Sequence, residues 1–166
     1  FSSTPFEVQF TVNDADVEDL TFSVTDKVYN ATNQEPVVTI ENIDSSNYTV
    51  TYDYTEFINV GTYTLTITGI NNLTGTTTID YHITKLSIEN ATIDYVKDQF
   101  YTGSQITPEI SVSYKDITLI NIDDYTITYG TNNELGENKG SITITATDSS
   151  NFSGSQTVYF NISKQS

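Results

Sequence analysis

Along most of this chain apolar residues alternate with Thr, Ser or other polar residues, and the alternating runs recur. Residues 61–85 read GTYTLTITGINNLTGTTTIDYHITK, and residues 140–164 read GSITITATDSSNFSGSQTVYFNISK. The two segments align without a gap, Gly61 on Gly140, Gly75 on Gly154 and Lys85 on Lys164. A period of two sends successive side chains to opposite faces. Each half is therefore predicted as a strand, and the Asn-, Ser- and Gly-rich middle as the turn of a hairpin. The same alternation predicts strands over 20–24, 36–41 and 47–54 ahead of the first hairpin, which itself covers 60–69 and 76–84. Parity turns Phe22, Ile40, Tyr48, Tyr63, Leu65, Ile67, Tyr81 and Ile83 inward and lines the opposite face with Thr62, Thr64, Thr66 and Thr68. One buried and one wet face is the pattern of an antiparallel sheet.

The repetition extends upstream. NYTVTY at 47–52 matches DYTITY at 124–129, and Tyr29 and Tyr101 precede Pro36 and Pro108 by the same spacing. In sequence the chain divides into a module over 13–85 and a second over 86–166, preceded by an N-terminal strand over 1–12 built on Phe6, Val8, Phe10 and Val12. That strand is expected to end a preceding repeat, to open the first module, or to be exchanged with a neighbouring subunit. The second module is longer at 115–123 and 130–139, which read as extended loops on a shared scaffold. Lys85-Leu-Ser-Ile88 runs from one module into the next without a Gly- or Pro-rich hinge, so an elongated, semi-rigid tandem arrangement is expected.

Composition narrows the class. Modules of this size are marginal on a single core, and there is no Cys to supply a disulfide. The chain carries 6 Lys, no Arg and 22 acidic residues, a formal charge of −16. That balance argues against nucleic acid and against an anionic membrane surface as partner. No apolar run approaches the roughly 18 residues of a membrane-spanning helix, so direct membrane insertion is not expected. The sequence opens on Phe1 rather than Met and is read as part of a longer secreted protein.

Taken together, Tyr101-x-Gly103-x4-Pro108, DYTITY, a Gly ahead of a Thr-alternating strand, N-[FL]-[ST]-G-[ST] and a closing [IV]-[ST]-K form a specific combination. It resembles the tandem Ig-like, or MBG-type, repeats of large secreted surface proteins of Gram-positive bacteria, and the resemblance covers both modules. It implies two tandem Ig-like β-sandwich modules, an extracellular, cell-surface location and a non-catalytic role in spacing or presentation. The first module departs from the pattern at Ala31, where the second has Gly103. Ala tolerates a positive-φ turn poorly.

Candidate chemistry is thin. Nucleophilic catalysis needs a base beside a hydroxyl. The single His, His82, falls by parity on the wet face with Asp80, and Asn161 replaces it in the second copy. No enzyme is expected. The acidic run Asn13–Asp19 reads as a loop in which Asp14, Asp16, Glu18 and Asp19 offer the hard oxygen ligands Ca²⁺ takes. It lacks EF-hand spacing, and charge runs are usually solvated loops. Sugar recognition would draw on exposed aromatics; of twelve Tyr, Tyr54, Tyr95, Tyr114 and Tyr159 are the least committed to the interior. Lys85 and Lys164 share the parity of Ile83 and Ile162, as a Lys–Asn isopeptide cross-link would require, but they also end their strands, where Lys reaches water. Asn-x-Ser/Thr sequons stand at Asn30, Asn47, Asn72, Asn90, Asn151 and Asn161, glycan acceptors only in a host that glycosylates them.

The expectation is an all-β, non-catalytic extracellular repeat segment acting as structural stalk, spacer or adhesin module. Its partners would be neighbouring repeats or subunits of the same protein, or a glycan or protein on a host or cell surface. Two rivals stand beside it: a filament subunit assembled by exchange of residues 5–12, and a carbohydrate-binding module.

Overall fold

The structure, a computed structural model, describes residues 13–165. The alternating run 6–12, and with it the proposed strand exchange, lies outside these residues. The protein is all-β. Residues of the first sequence copy form β1 (Ala15–Asp16), β2 (Phe22–Ser23), β3 (Lys27–Val28), β4 (Thr39–Ile40), β5 (Tyr48–Thr51), β6 (Gly61–Gly69), β7 (Leu73–Thr74) and β8 (Thr76–Thr84). Those of the second form β9 (Leu86–Ser87), β10 (Thr92–Ile93), β11 (Gln99–Phe100), β12 (Val112–Tyr114), β13 (Ile117–Thr118), β14 (Tyr125–Tyr129), β15 (Gly136–Ala146), β16 (Phe152–Ser153) and β17 (Ser155–Ser163).

The wiring repeats. One four-stranded sheet runs β3-β8-β6-β5 and the other β11-β17-β15-β14. In both, the outer pair β3–β8 or β11–β17 is parallel, and β5–β6 or β14–β15 is antiparallel. The short pairs β1–β7 and β9–β16 are parallel, while β2 meets β4 and β10 meets β12 in antiparallel fashion. β13 has no counterpart in the first copy. It folds back on β12 through Lys115, at φ 52, so part of the expected loop 115–123 is strand. Residues 136–139 likewise belong to β15, which bulges between Gly136 and Gly140.

The chain forms two compact units. One comprises the described residues through Thr25 with Pro36–Thr55 and Tyr63–Tyr81; the other comprises Asp26–Glu35, Glu56–Thr62 and the residues from His82 onward. In the first, Tyr48, Tyr63, Leu65, Ile67 and Tyr81 are buried as parity requires, with Thr64 exposed on the opposite face. In the second, Val96, Ile106, Ile142, Phe160 and Ile162 form one apolar cluster.

Two local features differ from expectation. The acidic stretch at 13–19 is not a free loop: β1 pairs with β7, and Val17–Asp19 makes a 3-10 turn whose Val17 is fully buried. Its counterpart is the 3-10 turn Ile88–Asn90, with Ile88 equally buried. Ala31 does adopt the left-handed conformation, φ 63 against 77 for Gly103. The Asn30 carboxamide holds it there, its Oδ1 accepting from Thr32 N at 2.9 Å and Thr32 Oγ1 at 2.7 Å. This is the local bonding by which Asn favours turns.

The duplication supplies an internal control for one glycine. Gly75 and Gly154 share φ near 80, so alanine at either costs about 1–2 kcal/mol in left-handed strain. A Cβ on Gly154 meets nothing, whereas one on Gly75 meets the Asp16 carboxylate that caps the 3-10 turn. Losing a cap costs about 0.5–2 kcal/mol. Urea unfolding should therefore show Gly75→Ala less stable than Gly154→Ala by about that amount; equal midpoints would show that the Asp16 contact is immaterial.

Candidate functional sites

The acidic turn is built by its cap. Asp16 Oδ1 accepts from Glu18 N at 3.0 Å, which uses one carboxylate oxygen in the turn itself. Asp14, Glu18 and Asp19 are exposed. Among the described residues no group of three or more His, Asp or Glu side chains is arranged to hold a metal ion.

His82 has a structural partner. Its backbone N donates to Asp26 Oδ1 at 2.8 Å, and its Nδ1 lies 3.2 Å from the same oxygen. The His82 amide, and then the imidazole, hold the Asp26 carboxyl below the usual value. The second copy repeats the tie with other residues: Asn161 Nδ2 donates to Asp98 Oδ2 at 3.3 Å. Asp26 and Asp98 each stand immediately ahead of the strand that pairs in parallel with the last strand of the copy. Sequence reasoning passed over both, although the signal existed: each lies three residues before the matched Tyr29 or Tyr101.

Within the second unit, loops of the first sequence copy meet strands of the second. Tyr29, 5% exposed, packs edge-on against Phe152 at 5.5 Å and tilted against Tyr114 at 6.2 Å. Phe152 and Tyr114 themselves meet edge-on at 5.6 Å, closing a three-ring cluster. T-shaped contacts of this kind add about 0.5–1.5 kcal/mol beyond burial. Burial, and the nearby charge of Asp124, push the Tyr29 phenol above its ordinary value. Polar bonds frame the rings. Lys115 Nζ donates to Asn30 O at 2.6 Å, Val60 N to Asn151 Oδ1 at 2.8 Å, and Asn151 Nδ2 to Asn59 Oδ1 at 3.0 Å. Lys85 Nζ donates to Asp148 O at 2.7 Å, a carbonyl rather than the acid an isopeptide would need. Tyr114 is thus half-buried and committed to this ring cluster.

The other uncommitted aromatics are open. Tyr95 and Tyr159 are 82% and 62% exposed. Tyr54 stands beside Tyr63 at the rim of a depression of about 190 Å³ lined by Thr51, Tyr52, Asp53, Thr64 and Thr66 in the first unit. The second copy has Gly130 and Thr131 where this depression has Asp53 and Tyr54. Comparison with known protein families, curated proteins and solved structures finds no match for the chain.

Proposed function

We propose that this chain is a non-catalytic repeat segment of an extracellular surface protein, a spacer that carries tension along its own backbone. The observation behind this reading is the parallel pairing of an early strand with the last strand in each copy. Tension enters a copy from its N-terminal side and leaves through its last strand. Because the two strands point the same way, these pulls oppose each other along the strand axes. The bonds between them are loaded in shear and must fail together rather than one after another. In the first copy they include Tyr29 N to Thr84 O at 2.8 Å and the Asp26–His82 tie; in the second, Tyr101 N to Ser163 O at 2.8 Å and Asp98–Asn161. One such bond is worth only about 0.5–1.5 kcal/mol net, so resistance comes from simultaneous loading. β9 begins directly after Lys85, so little slack separates the copies in sequence. The resemblance to MBG-type repeats and the absence of Cys in an acidic, Thr-rich chain agree with this reading.

Single-molecule pulling provides the test, and a chain without Cys accepts unique attachment points. Pulling through the two termini should need more force than pulling through residues 59 and 85, which peels β6 from β8. Asp26→Ala and Asp98→Ala should lower the terminal force and leave the peeling force unchanged. Rupture through the termini at or below the peeling force would refute the spacer reading.

A further inference from the structure

The two copies present the same end surface in two conditions. In the first copy Tyr29 is 5% exposed, covered by Phe152 and Tyr114, and Lys85 Nζ is bonded to the carbonyl of Asp148. The matching residues of the second copy are Tyr101 for Tyr29, Phe100 for Val28 and Lys164 for Lys85. Tyr101 is 45% exposed, Phe100 is 55% exposed, and Lys164 is exposed. The backbone beneath is the same: Tyr29 N and Tyr101 N bond to the last strand of their copies at 2.8 Å, and the following turns share a left-handed residue. Tyr101 is thus open on a scaffold whose twin position is buried, whereas Phe100 does not differ from its twin, since Val28 is itself 50% exposed.

We propose that Tyr101 and Lys164 bind a further β module of the second-copy type, as Tyr29 and Lys85 are bound here. That partner must offer what covers Tyr29 here: a Phe in an N-F-S-G turn, a Tyr-Lys hairpin like Tyr114–Lys115, and the carbonyls of a turn like Thr147–Asp148. The first copy of another molecule fits less well. Its turn carries Leu73 in place of Phe152, and it lacks the counterpart of β13. Contacts of this head-to-tail kind propagate instead of closing, as stacked repeats do. The proposal rests on the repeat-segment reading but not on mechanical strength, so a failed pulling experiment leaves it standing, and its own failure leaves the shear geometry intact.

The experiment extends the full chain with a second stretch of residues 86–164 placed after Lys164, which reproduces the Lys85–Leu86 join. The added stretch carries Phe in place of its own Tyr95, Tyr101 and Tyr159, so that each measured peptide is unique. Tyrosine nitration, read by mass spectrometry, compares Tyr101 with Tyr95 and Tyr159. Tyr101 should react roughly tenfold more slowly in the extended chain than in the original, as ordered burial protects a group, while Tyr95 and Tyr159 keep their rates. Replacing the Phe152-equivalent of the added stretch by Ala should return Tyr101 to its original rate. Unchanged nitration of Tyr101, whether the added stretch folds or not, overturns the proposal, as does protection that survives the Phe→Ala change.

Discussion

Asn132→Ala is expected to be among the most destabilising single substitutions in this chain, at about 3–5 kcal/mol. Asn132 is fully buried and lies in the left-handed region at φ 45. Its Nδ2 donates to Ile106 O at 2.9 Å and Ser141 O at 3.0 Å, and its Oδ1 accepts from Ser141 N at 2.8 Å. The Ser141 carbonyl has a second donor in Gly130 N, but the Ser141 amide and the Ile106 carbonyl lose the side-chain bond. Unsatisfied buried groups cost about 1–3 kcal/mol each, and alanine in place of Asn adds left-handed strain. Asn132→Asp provides the sharper test. The shapes match, yet a carboxylate oxygen then faces the two carbonyl oxygens of Ile106 and Ser141. At neutral pH Asp should therefore be worse than Ala, the reverse of a size argument. Urea unfolding of both variants decides it; an Asp variant as stable as the parent would mean the side chain is not held as described.

Gly140→Ala is the second large effect expected. Gly140 lies directly opposite Phe160 across the β15–β17 ladder, and a Cβ there would fall inside the contact radius of three carbons of that ring. Phe160 is itself 2% exposed and packed in the cluster with Ile142 and Ile162, so it has little room to retreat. Overpacking of this kind costs about 1–3 kcal/mol, and a rigid surround puts the expected loss at the upper end. Phe160→Leu alone should also destabilise. The double variant should lose less than the sum, because the smaller side chain admits the new methyl. Strict additivity would place the cause elsewhere. An aromatic ring laid over a cross-strand glycine is a known way of stabilising such a site, and Gly61 with Tyr81 holds the same positions in the first copy.

These two sites show where sequence reading works and where it stops. The long strands β6, β8 and β17, and β15 from Gly140 onward, were legible because sustained alternation leaves no other period, whereas residues 136–139 of β15 read as loop. Their parity held at every buried position from Tyr63 to Tyr81. The two-residue pairings β1, β3, β7, β9, β11 and β16 were not legible, since two residues carry no period at all. Asn132 lies in a stretch that reads as a polar loop, and only tertiary contacts make it a keystone. Gly140 was visible as a repeated glycine, but its reason is the register that brings Phe160 across from it. Tyr29 and Tyr101 mark the firmest limit: the same residue in the same motif is buried once and open once, because what covers it comes from elsewhere in the chain.

The second unit takes in Asp26–Glu35 and Glu56–Thr62 from the first sequence copy, and this bears on how the molecule can be divided. A fragment beginning at Leu86, where the repeated lettering restarts, would leave Phe152 and Tyr114 without the ring of Tyr29 that shields them. Such a piece would present a bare aromatic patch and tend to self-associate, although its every strand was retained. The seam at which the text repeats is not a place where the polypeptide comes apart cleanly.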